Sequence, residues 1–271
     1  MPTFTPTVWT YLIVCPLVFL AGFVDSVAGG GGVISLPAYL IAGIPVKLAA
    51  GTNKLANGCG TATSVFKYAR SGKIRWDCAI PAAIGCLLGA TGGSSLAVKL
   101  PDNVLEIVIL AALPLAALIL VLARNKTDER EKQLSRGKTV FWSALIGLVL
   151  GVYDGLIGPG TGTFLTIAFS LVLGIGLLNA AGCARVANLS SNIASLVVYL
   201  INGSVLFSVG VPAICCSMLG NYLGARYAIK GGSKKIRLVM FFVLGLLFLK
   251  TILSLTLPTH GVWQQEECKE N

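Results

Sequence analysis

Long apolar runs alternate along this chain with short polar or charged connectors, and within the runs the apolar character is continuous instead of switching residue by residue. Stretches at 9–27, 48–70, 77–99, 102–123, 138–157, 180–202, 207–229 and 235–256 are rich in Leu, Ala, Ile and Val. Each is close to the roughly 20 residues a helix needs to cross a hydrocarbon core. Continuous runs predict helices, because a membrane strand shows about ten residues of alternating polarity. The pattern predicts an all-α polytopic membrane protein with nothing left over for a soluble domain.

Two of the runs are interrupted. In FVDSVAGGGGVISLP, at 23–37, Asp25 precedes Gly29, Gly30, Gly31 and Gly32; in VYDGLIGPGTGTFLT, at 152–166, Asp154 precedes Gly158, Gly160, Thr161 and Gly162. The breaks belong to a longer duplication. With a shift of 131 residues, 43–99 aligns with 174–230 without a gap, and roughly 17 of 57 positions are identical. Lys54 then meets Arg185, and Asn57 meets Asn188. The predicted organisation is a first membrane repeat at 1–123, a charged cytoplasmic linker at 124–137, a second membrane repeat at 138–256 and a C-terminal tail at 257–271.

Loop charge orients the repeats. Lys67, Arg70, Lys73 and Arg75 follow the second span, where the second half has Val198, Ile201, Ser204 and Leu206; at the next loop Lys99 and Asp102 face Arg226, Lys230, Lys234, Lys235 and Arg237. Under the positive-inside rule the halves are inverted. Inversion requires an odd net number of crossings per half. A Gly-broken helical hairpin that enters and leaves on one side, 9–43 or 138–174, plus three transmembrane helices meets that requirement. Both termini are then extracytoplasmic.

Composition removes other classes. The chain is 55% hydrophobic and 12% charged, with mean hydropathy +0.82 and formal charge +10. The cations sit in short loops without interleaved aromatics, which is loop charge and not a nucleic-acid surface. MPTFTPTVWT has no basic n-region, so the first span is expected to remain. Eight cysteines form no CxxC pair and the single His, His260, is terminal; neither a metal nor a disulfide is expected. No Lys-Ser or Lys-Thr follows the glycine run as in a nucleotide loop. No nucleophile and base can be placed together, so neither a cofactor nor an enzyme is expected.

Unwound backbone at membrane depth survives only against protein or a wet cavity. Glycines allow close approach, and the short helices that should start near Val33 and Thr163 would aim their positive ends at the midplane. Two symmetric breaks of this kind suit an anion site in a transporter. Lys54 and Arg185 lie early in equivalent spans, with Asn57 and Asn188 on the same helix faces at i+3. A cation and an amide on one face suit an oxyanion; snorkelling to the surface is the plain alternative for each cation. Asp25 and Asp154 have three readings: capping the turn, pairing with Lys54 and Arg185, or carrying a proton, with the first two ranked higher.

The motifs VDSVAGGGGVISLP, IPVKLAAGTNKLAN, YDGLIGPGTGTFL and AAGCARVANLSSN make the chain resemble the TauE/SafE group of sulfite exporters over nearly its whole length. The resemblance implies two repeats, the bacterial inner membrane, and a sulfur-containing anion such as sulfite or an organosulfonate; the residues alone reach only as far as a small oxyanion. The expected function is secondary transport of that anion, with export as the central case, by alternating access between inverted repeats. Expected partners are the anion, the lipid bilayer and a possible homodimer mate, with no nucleic acid. A passive anion channel and a non-transporting anion-binding scaffold or sensor are the alternatives. The coupling ion is unassigned.

Overall fold

The computed structural model describes residues 4–101, 104–105 and 134–256, with side chains as far as Met240. Regular structure among the described residues is helical. In chain order come α1 (Val8–Ala28), α2 (Gly32–Ile41), α3 (Val46–Arg70), α4 (Trp76–Lys99), α5 (Arg136–Leu156), α6 (Thr161–Leu173), α7 (Leu177–Ile201) and α8 (Phe207–Thr256). The expected span 102–123, apart from Val104 and Leu105, lies outside the described residues, as do most of the linker at 124–137 and the tail at 257–271. Gly232, at φ 61°, breaks α8 between the expected spans 207–229 and 235–256.

Among the described residues five helices are long and apolar enough to cross a membrane: α1, α4, α5, α7 and the Phe207–Met240 part of α8. The 25 residues of α3 are long enough too. Its hydropathy is lower because it carries Thr52, Asn53 and Lys54, all buried inside the bundle. Trp9, Trp76 and Trp142 stay exposed near the N-terminal ends of α1, α4 and α5, where indole rings favour the membrane interface.

Both interruptions form hairpins. α1 ends at Ala28 and the chain returns as the 10-residue α2; α5 ends at Leu156 and returns as the 13-residue α6. The returning helices begin at Gly32 and Thr161, within two residues of the expected starts.

The long helices pack through small residues and exchange partners between the halves. On α4, Gly85, Gly89 and Gly93 lie against Ala144, Leu148 and Val152 of α5, and a Cβ at any of the three would collide with a carbonyl oxygen of that helix. Close backbone approach of this kind lets dispersion hold helices together where lipid removes the hydrophobic drive. On the other side Gly220 and Gly224 of α8 lie against Phe19 and Phe23 of α1 in the same way. Gly89 and Gly220 are equivalent under the 131-residue shift.

Contact order fixes helix directions. Rising residue numbers meet along α4 and α5 and along α1 and α8, so each pair is parallel. α4 and α7 are parallel as well, since the Cys183 thiol donates to the Arg75 carbonyl and the Ser190 hydroxyl to the Ala83 carbonyl. In contrast, Gly51 lies on Tyr199 and Gly58 on Asn192, which makes α3 and α7 antiparallel. α3 also runs alongside α8 in the same direction, Gly210 meeting Leu55 and Gly60 meeting Ser217 and Asn221. α1, α3 and α8 therefore point one way, and α4, α5 and α7 the other.

Two apolar clusters flank the hairpin tips. One gathers Leu36 and Tyr39 of α2 with Val14, Val18 and Val209; the other gathers Leu165 and Phe169 of α6 with Ala184, Cys86 and Ala225.

Candidate functional site

The first tip turns on Gly29 and Gly30, with φ of 75° and 122°, a backbone that side-chain-bearing residues rarely adopt. The second turns on Gly158 and Gly160, at 88° and 87°. Local bonds set this turn: the Thr161 hydroxyl donates to the Gly158 carbonyl at 2.8 Å and the Tyr153 hydroxyl to the Pro159 carbonyl at 2.7 Å. The two tips touch. Gly29 sits on the backbone of Gly162 and Thr163, the Thr163 hydroxyl donates to the Gly29 carbonyl, and Gly32 sits on Pro159.

Each half supplies the counter-charge of the other. Lys54 Nζ lies 2.6 Å from Asp154 Oδ2 and donates to the Asp154 carbonyl at 2.9 Å. Arg185 Nη1 lies 2.8 Å from Asp25 Oδ2 and donates to the Asp25 carbonyl at 2.7 Å. All four residues are buried, Arg185 at 1% exposure. Asp25 also caps the first tip, its Oδ1 accepting the N–H groups of Gly30 at 3.2 Å and Gly31 at 3.3 Å. Asp154 instead receives the Ser191 hydroxyl on Oδ2 at 2.6 Å. Capping and pairing thus coexist in Asp25, whereas Asp154 pairs.

A polar cavity opens where the tips meet. Gly30 and Gly32 line it from the first break, and Gly158, Gly160, Thr161 and Gly162 from the second, together with both aspartates. Lys54 and Asn57 reach it from α3 and Asn188 from α7. The expected residues Gly29, Gly31 and Arg185 do not line it: Gly29 packs on the opposite tip, Gly31 packs on Ala21 and Asp25 of its own hairpin, and Arg185 lies behind both tips against Gly29 and Gly162. Arg185 Nε and Nη2 have no acceptor among the described residues.

Two lining residues are additions to the expected set, Asn53 and Asn192. Asn53 accepts from the Asn57 amide at 3.1 Å. Each lies four residues from an asparagine already singled out, so helical spacing would have placed both on the cavity face. Duplication hides them, because their counterparts in the other half are Ala184 and Thr61. No cluster of three metal-ligating side chains occurs among the described residues.

Interrupted hairpins meeting at a buried, charge-lined cavity inside a bundle of apolar spanning helices define a membrane permease by class. The family model for the sulfite exporter TauE/SafE matches residues 14–251, and the chain belongs to that family. It is 36% identical over 242 residues to a Sinorhizobium protein named probable membrane transporter protein ORF9, covering 89% of this chain and 91% of that one. It is 36% identical over 223 residues to a probable membrane transporter protein of Haemophilus influenzae, covering 81% and 85%. The Escherichia coli K12 probable membrane transporter protein YfcA is 32% identical over 226 residues, covering 83% and 82%. No solved structure matches the chain.

Proposed function

We propose that the protein is a secondary transporter of a small sulfur-containing anion, sulfite or an organosulfonate, with export as its expected direction and alternating access between inverted repeats as its mechanism. The cavity at the meeting of the two breaks carries this reading. It gathers one ammonium, four side-chain amides and the N-terminal ends of α2 and α6, all donor chemistry for an oxyanion. In this reading Lys54 supplies charge, Asn57 and Asn188, with Asn53 and Asn192, supply directional hydrogen bonds, and Gly30, Gly32, Gly158, Gly160, Thr161 and Gly162 present backbone. Gly29, Gly31 and Arg185 hold the frame around them. The family description names sulfite, and the donor set is compatible with it. Reconstituted protein should exchange labelled sulfite across vesicles in saturable counterflow; flux without counterflow would mean a channel, and binding without flux a scaffold.

The antiparallel pairing of α3 with α7 and the opposed directions of α1 and α5 support inversion. Lys67, Arg70, Lys73 and Arg75 lie at the bundle end that Arg226 and Lys230 of α8 also reach, which the positive-inside rule makes cytoplasmic. The protein then sits in the inner membrane with both termini outside. In a cysteine-free background, Ser71→Cys is expected to react with an impermeant maleimide only in inverted vesicles, and Asn202→Cys only in intact cells. The reverse pattern would overturn the orientation.

A further inference from the structure

The two buried ion pairs come from equivalent sequence positions but are held differently. On the transport reading above, we propose that Asp154 is a proton-binding site that takes up one proton for each anion the cavity binds.

Asp25 is fixed. Its carboxylate receives two backbone N–H groups and an arginine, and a guanidinium does not lose its charge in a protein. Arg185 lines neither the cavity at the tips nor the one beside it. The counter-charge of Asp25 therefore stays in place whatever enters.

Asp154 is held by groups that can let go. Lys54 is a point charge on a flexible stem, and Lys54 and Asp154 line two cavities at once, the second completed by Leu36, Ala50 and Tyr199 among others. Open space thus reaches this pair in both cavities. Both side-chain donors to Asp154, Lys54 and Ser191, meet Oδ2, and no donor to Oδ1 occurs among the described residues. Ser191 has glycine, Gly60, as its counterpart in the first half. A hydroxyl can donate to a carboxylate or accept from a carboxylic acid, so Ser191 can serve Asp154 in either form.

The charges of Lys54, Arg185, Asp25 and Asp154 sum to zero before an anion arrives. Lys54 is the one cation among the residues lining the cavity at the tips. An anion that draws the ammonium away leaves Asp154 a buried carboxylate without its cation, which is strongly unfavourable. A proton on Asp154 removes that charge. The other groups near Asp154 are Tyr199 from α7, Cys86 from α4 and Tyr153 from its own helix, phenols and a thiol that are neutral at physiological pH in their ordinary ranges. Across the cavity stands Asp25, already compensated. For a monovalent anion the resulting cycle is electroneutral, and a pH gradient moves it where voltage does not; an alkaline interior draws the anion inward, so export through this cycle runs down the anion's own concentration gradient.

The test uses full-length protein in vesicles clamped at zero voltage with potassium and valinomycin, with labelled sulfite and labelled methanesulfonate, a strong-acid anion that brings no proton of its own. Counterflow at equal pH comes first: if neither anion exchanges, the transport reading itself fails. With the interior one pH unit more alkaline, a transported anion is expected to accumulate about tenfold over protein-free vesicles, the ratio that one proton per anion sets. The accumulation ratio should fall to one in whatever flux Asp154→Asn retains and return in Asp154→Glu. If Asp154→Asn does not fold, a pH dye trapped with the wild-type protein should record one proton entering per methanesulfonate, or per sulfite beyond its own titration. Counterflow with no response to the pH gradient, no proton entry, or a full tenfold accumulation in Asp154→Asn overturns the proposal.

Discussion

Replacing Lys54 by alanine is expected to remove anion transport. Lys54 is the cation that reaches the cavity at the tips, and its removal strips the site of its only full positive charge among the lining residues. Truncating one partner of a buried charged contact costs about 2–5 kcal/mol of binding, which corresponds to roughly thirtyfold to several thousandfold in affinity. The same change leaves Asp154 buried without a counter-ion, so a loss of fold could imitate a loss of function. The double variant Lys54→Ala/Asp154→Ala separates the two. With both charges gone the bundle should elute as a single folded species, yet labelled sulfite flux should remain absent; flux at the wild-type rate would show that the anion does not depend on Lys54. Lys54→Arg keeps the charge but replaces a compact ammonium with a planar fork, and should retain part of the flux.

Arg185→Ala is expected to have the largest effect on stability. Arg185 is 1% exposed, holds the carboxylate and the carbonyl of Asp25, and fills the space behind Gly29 and Gly162 where the tips meet. Breaking a buried pair by removing one partner costs about 3–5 kcal/mol, and the lost side chain adds a cavity beneath both turns. Thermal unfolding in detergent should show a transition far below that of the wild type. Adding Asp25→Asn should recover part of the loss, because the amide carries no charge and keeps an oxygen for the N–H groups of Gly30 and Gly31. An Arg185→Ala protein as stable as the wild type would mean that the pair does not hold the tips together.

Much of this arrangement was legible before any coordinates. The duplicated breaks gave both hairpins, and the turns fell within two residues of their expected places, because glycine with an aspartate four residues before it is a local signal. The equivalent positions of Lys54 and Arg185 also marked both cations as candidates for an anion site, with snorkelling to the surface as the alternative. The crossing of the pairs was not legible: Lys54 meets Asp154 and Arg185 meets Asp25 only because the halves interleave, and repeat alignment carries no information about which half a side chain faces. Nor does a run of four glycines reveal which ones face a ligand. Gly30 and Gly32 line the cavity, while Gly29 and Gly31 are spent on contact with other backbone. Asn53 and Asn192 carry no signal from the duplication, because Ala184 and Thr61 stand at the equivalent positions, and a binding cavity at the centre of two unequal halves need not be symmetric.

The contact between the tips has a mechanical meaning. Gly29 bears on Gly162 and Thr163, and Gly32 on Pro159, at the place where the two halves cross. If the halves exchange shapes, points far from that crossing sweep outward or inward while points on it barely travel. The paired turns then act as a bearing, stiff and tightly seated, about which the rest of the bundle can tilt. Bulk added at Gly29 would jam the joint from within, by pressing on Gly162, Thr163 and Arg185.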